Sequence, residues 1–401
     1  MTRRETLQSI LATSTIGAST GWLQAREEPM RVAVLGHTGR GNFGHGLDTV
    51  WLTFPGVEIV GVSDPDKSGL QSAVSRLKLA EAEGFSDYSD LLSATKPDLV
   101  SVAPRYVDEH AEMAIAAANN GARGIYIEKP FCRDLGEANA IVEACRANGT
   151  KLAIAHRNRY HPVLPVVADL IANGEIGTLL EIRARGKEDN RGGCLDLWVL
   201  GSHLLNLIHY FAGNPVSCTA TILADGKPAK KEDVIEGAEG IGPIAGNEIH
   251  AQYEMENGVP MFFDSIQKAG AREAGFGIQF IGSDGIIDLR ADREPLAHLL
   301  PGSPFLPTPE PRAWIPITSA GVGKPEPIED IRLQVGGHHA ALHDLIAAIE
   351  EDRMTLCNEE DGRDVVAMTM AAFASHVQEG KRVTLPLSET SNPLAELDPV
   401  E

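Results

Sequence analysis

The sequence predicts an α/β protein in two unlike halves: an N-terminal parallel sheet wrapped by helices, then an α+β half with an open, mostly antiparallel sheet. Three observations carry that prediction. Apolar runs and helical patterns alternate from residue 32 to residue 155. Strand-like segments follow one another with short turns from residue 217 to residue 289. The first apolar run ends in a glycine-rich turn, and the second ends in an acid. Alternation at this spacing predicts parallel strands with right-handed crossovers, whereas strands in succession predict antiparallel pairing.

In order, residues 32–35 read as strand, 44–53 as helix and 58–62 as strand. Apolar residues at helical spacing cover 67–83, and a short helix covers 87–94. Strands at 99–103, 124–128 and 151–155 alternate with helices at 108–119 and 135–148. Beyond residue 160 come a helix at 163–173, a strand at 179–185 and a helix at 201–211. Strand-like runs follow at 217–223, 248–254, 259–267 and 276–289, with Asn257-Gly258 and Asp284-Gly285 as turns. Residues 301–327 are rich in Pro and Gly and read as an irregular connection. Helices at 338–351 and 362–378 and a strand at 382–387 close the chain. The divisions expected are a leader at 1–28, a nucleotide-binding domain at 29–155, an α+β substrate domain at 156–390 and a tail at 391–401.

Composition narrows the function. A chain of 401 residues suggests two domains at about 150 residues each. A net charge of −21 argues against nucleic acid, whose phosphates require clustered Lys and Arg. There is no run of 18 apolar residues, so no membrane span is expected. Five dispersed cysteines without a C-x-x-C pair supply neither a disulfide framework nor a zinc site, and no metal is expected. The first 28 residues differ from the rest. Arg3-Arg4 precedes a mildly apolar run rich in Ser, Thr, Gly and Ala, which resembles a twin-arginine export leader. Export to the periplasm, with a mature start near residue 26, is the expectation; a cytoplasmic protein with a frayed tail is the alternative.

The turn after the first strand reads Gly36-His37-Thr38-Gly39-Arg40-Gly41-Asn42-Phe43-Gly44. Residues 39–44 match G-x-G-x-x-G, and Asp64 lies 20 residues beyond Gly44. Such a turn brings backbone N–H groups to a pyrophosphate at a helix N-terminus, and the acid takes the ribose hydroxyls. A Rossmann unit follows, with Gly36, Thr38, Gly39, Arg40, Gly41, Asn42, Phe43, Gly44 and Asp64 as dinucleotide-binding residues. One irregularity stands out: the match begins three residues after the strand ends, so either the turn is longer than usual or Thr38 replaces the second glycine. A carboxylate at Asp64 disfavours a 2′-phosphate, so NAD is expected over NADP. Further on, a strand delivers Glu128-Lys129-Pro130 to the C-terminal edge of the sheet, where open α/β sheets bind ligands. A lysine there can polarise or exchange a proton with a substrate oxygen.

These motifs, with Gly201-Ser202-His203, the 97–103 strand and a late Ala372, Ser375, Gly380, Val383, Pro386 pattern, occur in one order. In this the chain resembles the glucose–fructose oxidoreductase / inositol dehydrogenase family, Gfo/Idh/MocA, over about residues 30–388. The resemblance implies a nicotinamide cofactor contacted by Glu128 and a sugar-like or cyclitol substrate. It also implies Lys129 and His203 as catalytic residues, and pairing of subunits through the open sheet face. Arg159 and Tyr160 fit the family's place for substrate contacts. The family's Asp four residues before the histidine is absent, because Val199 stands there. Asp196, seven residues before His203, lies two turns back on an uninterrupted helix and is the expected replacement. An oxidoreductase is thus expected. A redox-neutral glycosidase or lyase holding NAD, and a non-catalytic NAD-binding regulator, are the alternatives.

Overall fold

The computed structural model describes residues 28–269 and 276–397. The leader reading falls almost entirely on residues 1–27, outside them. Six strands form an all-parallel sheet: β1 (Met30–Leu35), β2 (Val57–Ser63), β3 (Gly84–Phe85), β4 (Leu99–Val102), β5 (Gly124–Ile127) and β6 (Lys151–Ile154). Their order is β3-β2-β1-β4-β5-β6. The order in which strands are added reverses between β1 and β4, so a crevice opens beyond their C-terminal ends. Val32 to Leu35 and all of β4 and β5 are buried, as strands covered on both faces must be. Aspartates start the helices around them. Asp66, Asp87 and Asp134 accept backbone N–H bonds at the heads of Lys67–Arg76, Tyr88–Thr95 and Leu135–Asn148.

The second half contributes β7 (Leu179–Arg185), β8 (Pro215–Ala224), β9 (Lys227–Pro228), β10 (Val234–Glu236), β11 (Pro243–Ala245), β12 (Glu248–Met255), β13 (Pro260–Ile266), β14 (Gly277–Gly282), β15 (Gly285–Arg290), β16 (Ala297–Pro301), β17 (Ile315–Thr318), β18 (Gly321–Val322) and β19 (Val383–Thr384). All but β10 and β11 join one sheet in the order β18-β17-β16-β15-β14-β7-β13-β12-β8-β19, with β9 on β8. Its pairs are antiparallel except β7 with β13. Alternation is clear in β12, where Ile249, Ala251, Tyr253 and Met255 point inward and Gln252 and Glu254 outward. Helices Ser202–Ala212 and Glu359–Val377 cover the inner face.

Besides strands β9, β10, β11 and β16 and the helix Ile331–Gly336, which the sequence pattern does not mark, four of the expected segments take another form. Residues 44–53 hold only a 3₁₀ turn, Thr49–Leu52, because Gly44 and Gly46 adopt left-handed backbone angles that no helix continues. The helix expected over 67–83 stops at Arg76, and Lys78 takes a positive φ. Inside 301–327, β17 and β18 extend the sheet. The final strand shortens to β19. All five cysteines are buried and unpaired.

Candidate active site

The glycine-rich turn is a closed hairpin. His37 and Asn42 exchange backbone bonds of 3.1 and 3.0 Å, and the Arg40 amide also donates to His37. Thr38 donates its amide (3.0 Å) and its hydroxyl (2.6 Å) to Asp64, and the Gly39 amide donates to the Asn42 side chain (3.1 Å). Asp64 therefore sits fully buried at the tip of β2 as the anchor of the loop. The turn is the longer one. Gly36 is obligatory because a Cβ there would lie 2.0 Å from the Phe43 ring, and Thr38 takes no glycine role. Gly41, at φ 88°, brings the loop onto the backbone of Arg105 after β4. Arg40 lies over Tyr106 and pairs with Asp108, and His37 bonds Glu109 at 2.7 Å. Loop and β4 segment thus close across the crevice. Beside the loop, a cavity of about 370 Å³ opens toward helix Lys67–Arg76, lined by Thr38, Asn42, Phe43, Gly44, Ser68, Ser72 and Arg76. Arg76 is spent on Asp48, so its charge is matched there.

At the next strand, β5 hands Glu128 and Lys129 to the sheet edge. Both are buried, Lys129 at 7% exposure. Burial opposes the Glu128 charge, but the hydrogen bond from His45 and the Lys129 ammonium override it and hold the carboxyl at about 2. Burial holds the Lys129 ammonium below the usual lysine range, against the charges of Glu128, Glu239 and Asp292. The Lys129 Nζ donates to the backbone carbonyl of Val199 at 3.2 Å. Valine supplies no carboxylate, yet its main chain holds the amine.

That carbonyl lies in a π-turn. Residues Gly193–Asp196 are α-helical, Leu197–Gly201 widen to π geometry, and Ser202–Ala212 resume the α-helix. His203 lies in the first turn after the widening, 5% exposed, and faces the same cavity as Lys129. This cavity, of about 270 Å³, is also lined by His45, Arg105, Arg157, Lys187, Arg191, Glu239, Asp292 and His338. His203 Nδ1 lies 3.2 Å from His156 Nδ1. Burial, then the charges of Lys129 and Arg157, hold His203 neutral, well below the ordinary histidine value. Neutral imidazole and buried amine on one small cavity can share a substrate hydroxyl between them.

Three expected residues lie elsewhere. The π-turn adds to each helical repeat, so seven residues no longer return Asp196 to the His203 face. Asp196 instead accepts from Ser265 Oγ (2.6 Å) and the Glu188 amide (3.0 Å), on the β13 side. Arg159 donates to the Asn206 carbonyl (2.9 Å), pairs with Asp361 and stacks on Tyr210, clamping two helices away from the cavity. Tyr160 is buried and donates to the Ile154 carbonyl (2.9 Å). The short 3₁₀ turn Arg157–Tyr160 aims Arg157 into the cavity in their stead, where it pairs with Asp292. His338 is not among the residues expected at the site. It accepts from the Tyr126 hydroxyl (2.6 Å) and donates to the His45 carbonyl (3.2 Å), and so braces the cavity wall.

Two family models match the chain: an oxidoreductase family NAD-binding Rossmann fold over residues 30–156, and the same family's C-terminal alpha/beta domain over 168–385. D-apiose dehydrogenase of Paraburkholderia graminis is 30% identical over 128 residues, 32% of this chain and 33% of that protein. Inositol 2-dehydrogenase of Salmonella typhimurium is 29% identical over 134 residues, 33% of this chain and 39% of that protein. The chain thus matches between a third and two fifths of the length of these relatives. Among solved structures, levoglucosan dehydrogenase in complex with NADH and levoglucosan superposes with a TM-score of 0.68 at 19% identity, over 90% of this chain and 100% of that one. An oxidoreductase from Agrobacterium radiobacter with NAD+, L-tartaric acid and magnesium gives 0.64 at 17%, over 88% and 98%. At such identities the structures speak for the fold, while the two family models span both halves: the chain belongs to the Gfo/Idh/MocA family of oxidoreductases, with its NAD-binding Rossmann domain at the N-terminus.

Proposed function

We propose that the protein is an NAD-dependent dehydrogenase acting on a hydroxyl of a sugar-like or cyclitol substrate. The observation that carries this reading is the convergence of Lys129 and His203 on one cavity at the C-terminal edge of the parallel sheet. The residues present fit a dinucleotide. A buried acid ends β2, Gly39 exposes backbone with nothing within 4 Å of a Cβ placed on it, and a hydroxyl-lined cavity adjoins the loop. Asp64 is fully buried and accepts from Thr38 and the Asp66 amide, so it shapes the loop and does not itself reach the ribose as the sequence led one to expect. The 38–44 loop it anchors would hold the adenosine and pyrophosphate end, and Glu128 the ribose nearest the reaction. NAD, when bound, supplies the hydride acceptor or donor. Lys129 and His203 then place one substrate oxygen between a proton acceptor and a hydrogen-bond donor, and that fixed geometry supplies much of the rate. The family match and the dehydrogenases among the relatives support net oxidoreduction over a redox-neutral lyase or a silent NAD-binding regulator. Assaying NADH formation over a panel of aldoses, anhydrosugars and cyclitols tests the reading. Glycoside cleavage without net NADH, or no turnover on any of them despite tight NAD binding, would overturn it.

The preference for NAD rests on Asp64 and on the neutralisation of Arg76 by Asp48. Tighter binding of NADPH than of NADH would reverse it. The leader-like start supports export in the folded state to the periplasm, with a mature terminus near residue 26. Terminal sequencing of secreted material that finds Met1 or Thr2 intact would remove that reading. Self-association through the outer face of the large sheet is the third proposal, and a monomer by light scattering at assay concentration would exclude it.

A further inference from the structure

The family's carboxylate partner for the active-site histidine is missing at Val199, and Asp196 is turned away. A different group meets the ring. His156, the second residue after β6, is 1% exposed and its Nδ1 lies 3.2 Å from Nδ1 of His203. The rings stand edge to face, with centroids 4.9 Å apart and planes at 82°. His156 is held rigidly: its amide donates to the Ile154 carbonyl at 2.8 Å, and its carbonyl accepts from the Arg159 amide at 2.8 Å. The Arg159 guanidinium, bound to the Asn206 carbonyl, ties this turn to the helix that carries His203. Two histidines on separate elements are thereby fixed at one distance.

Two Nδ1 atoms can share only one proton, and the surroundings decide which ring carries it. His156 Nε2 is buried with no partner among the described residues. A proton there would leave an orphaned buried N–H, the costlier of the two unsatisfied states. Its proton therefore sits on Nδ1 and is donated to His203. His203 must then keep its own proton on Nε2, the ring nitrogen with no protein partner among the described residues.

We propose that His156 is a positioning residue that stands in for the absent carboxylate with opposite polarity: it donates to His203 Nδ1 and so presents His203 Nε2–H to the cavity as a hydrogen-bond donor to the substrate oxygen. This deepens the reading above and rests on it. It assigns the proton-accepting role on that oxygen to the Lys129 amine alone. An aspartate partner, as an acceptor only, would force the reverse tautomer and leave Nε2 as a base. The groups facing the pair are Lys129 and Glu128 from the end of β5, Arg157 and Arg159 from the same turn, His45 and His338 across the cavity, and the Phe276 ring.

The test compares the full-length protein with His156→Asn and His156→Asp. Asn keeps a donor at the Nδ1 position, whereas Asp offers only acceptors. Nitrogen-15 NMR of histidine-labelled protein with NAD reads the tautomers directly, with His203→Gln identifying the resonances. The expected result is a protonated Nε2 and bare Nδ1 for His203 in the wild type and in His156→Asn, reversed in His156→Asp. Turnover should fall about tenfold or more in His156→Asp, with KM little changed, and return to within a few fold in His156→Asn. A His203 protonated on Nδ1 in the wild type, or equal kcat in the Asp variant, overturns the proposal. A wild type that turns over no sugar refutes the dehydrogenase reading instead, while the spectrum still decides the tautomer.

Discussion

Replacing Lys129 separates chemistry from binding. Among the described residues its Nζ makes one hydrogen bond, to the Val199 carbonyl at 3.2 Å, and the side chain is buried beside Glu128. Lys129→Met keeps the apolar stem and removes the amine. Glu128 retains His45 but loses the neighbouring ammonium. The stability cost is then one exchanged hydrogen bond and one lost partner of a buried carboxylate, about 1–3 kcal/mol. The catalytic cost is larger. Loss of a positioned general base slows turnover by roughly 10²- to 10⁴-fold, about 3–5 kcal/mol in the barrier. Lys129→Arg sharpens the comparison, because guanidinium keeps the charge and cannot give up its proton. Both variants should bind NADH nearly as the wild type does, by fluorescence titration, and both should lose kcat by at least about a hundredfold on the best substrate of the panel. An arginine variant that retains turnover would refute the assignment of the base, and so would a methionine variant that does.

Arg159→Met should lower stability by about 3 kcal/mol in urea unfolding, because it leaves Asp361 buried beside one partner fewer, and it should leave sugar KM nearly unchanged. A raised KM with full stability would return Arg159 to the substrate. His209 sets a pH limit. Burial lowers its pKa, but Asp361 and Asp364 at 3.2 and 3.3 Å reverse that and raise it to about 9. Its folded value lies above the unfolded one, so this contribution, at most about 3 kcal/mol, is complete below about pH 6.5 and fades as pH rises through 9. Thermal melts of wild type and His209→Gln should converge across that window, and parallel curves would contradict the ion pair. Gly36→Ala drives a methyl into the Phe43 ring. It should cost about 1–3 kcal/mol and weaken NADH binding, and an unchanged melt would show that the ring moves freely.

Much of the fold was legible because its signals are periodic. Buried parallel strands read as unbroken apolar runs, and aspartate caps mark three helix starts. Lys129 was legible because Pro130 follows at once and marks the strand's end. The site residues that the structure puts elsewhere share a cause: each depends on a rotation that composition does not encode. A count of 3.6 residues per turn puts Asp196 beside His203, but the segment between them widens to a π-turn. Arg159 and Tyr160 follow a strand that leads to the cavity, but the 3₁₀ turn aims Arg157 there instead. The helix expected at 44–53 has apolar spacing, but Gly44 and Gly46 take left-handed angles that only the folded loop demands. His156 carried no pattern at all, since its role comes from a helix 47 residues further on.

The first sheet is not finished by the residues that build it. Helix His339–Glu351 lies against β5 and β6, and a Cβ on Gly124 would stand 2.7 Å from Ile349. The Ile154 amide in β6 donates to the Cys357 carbonyl at 3.0 Å, and the helix Glu359–Val377 packs on Leu135–Asn148. During synthesis, β6 leaves the ribosome about 200 residues ahead of Cys357, roughly 10–40 s at ordinary elongation rates. Through that interval its outer edge and one apolar face are uncovered. The nascent N-terminal half is therefore the stage most exposed to aggregation and most dependent on chaperones, and a fragment ending at residue 155 should be insoluble although it contains every strand of its sheet.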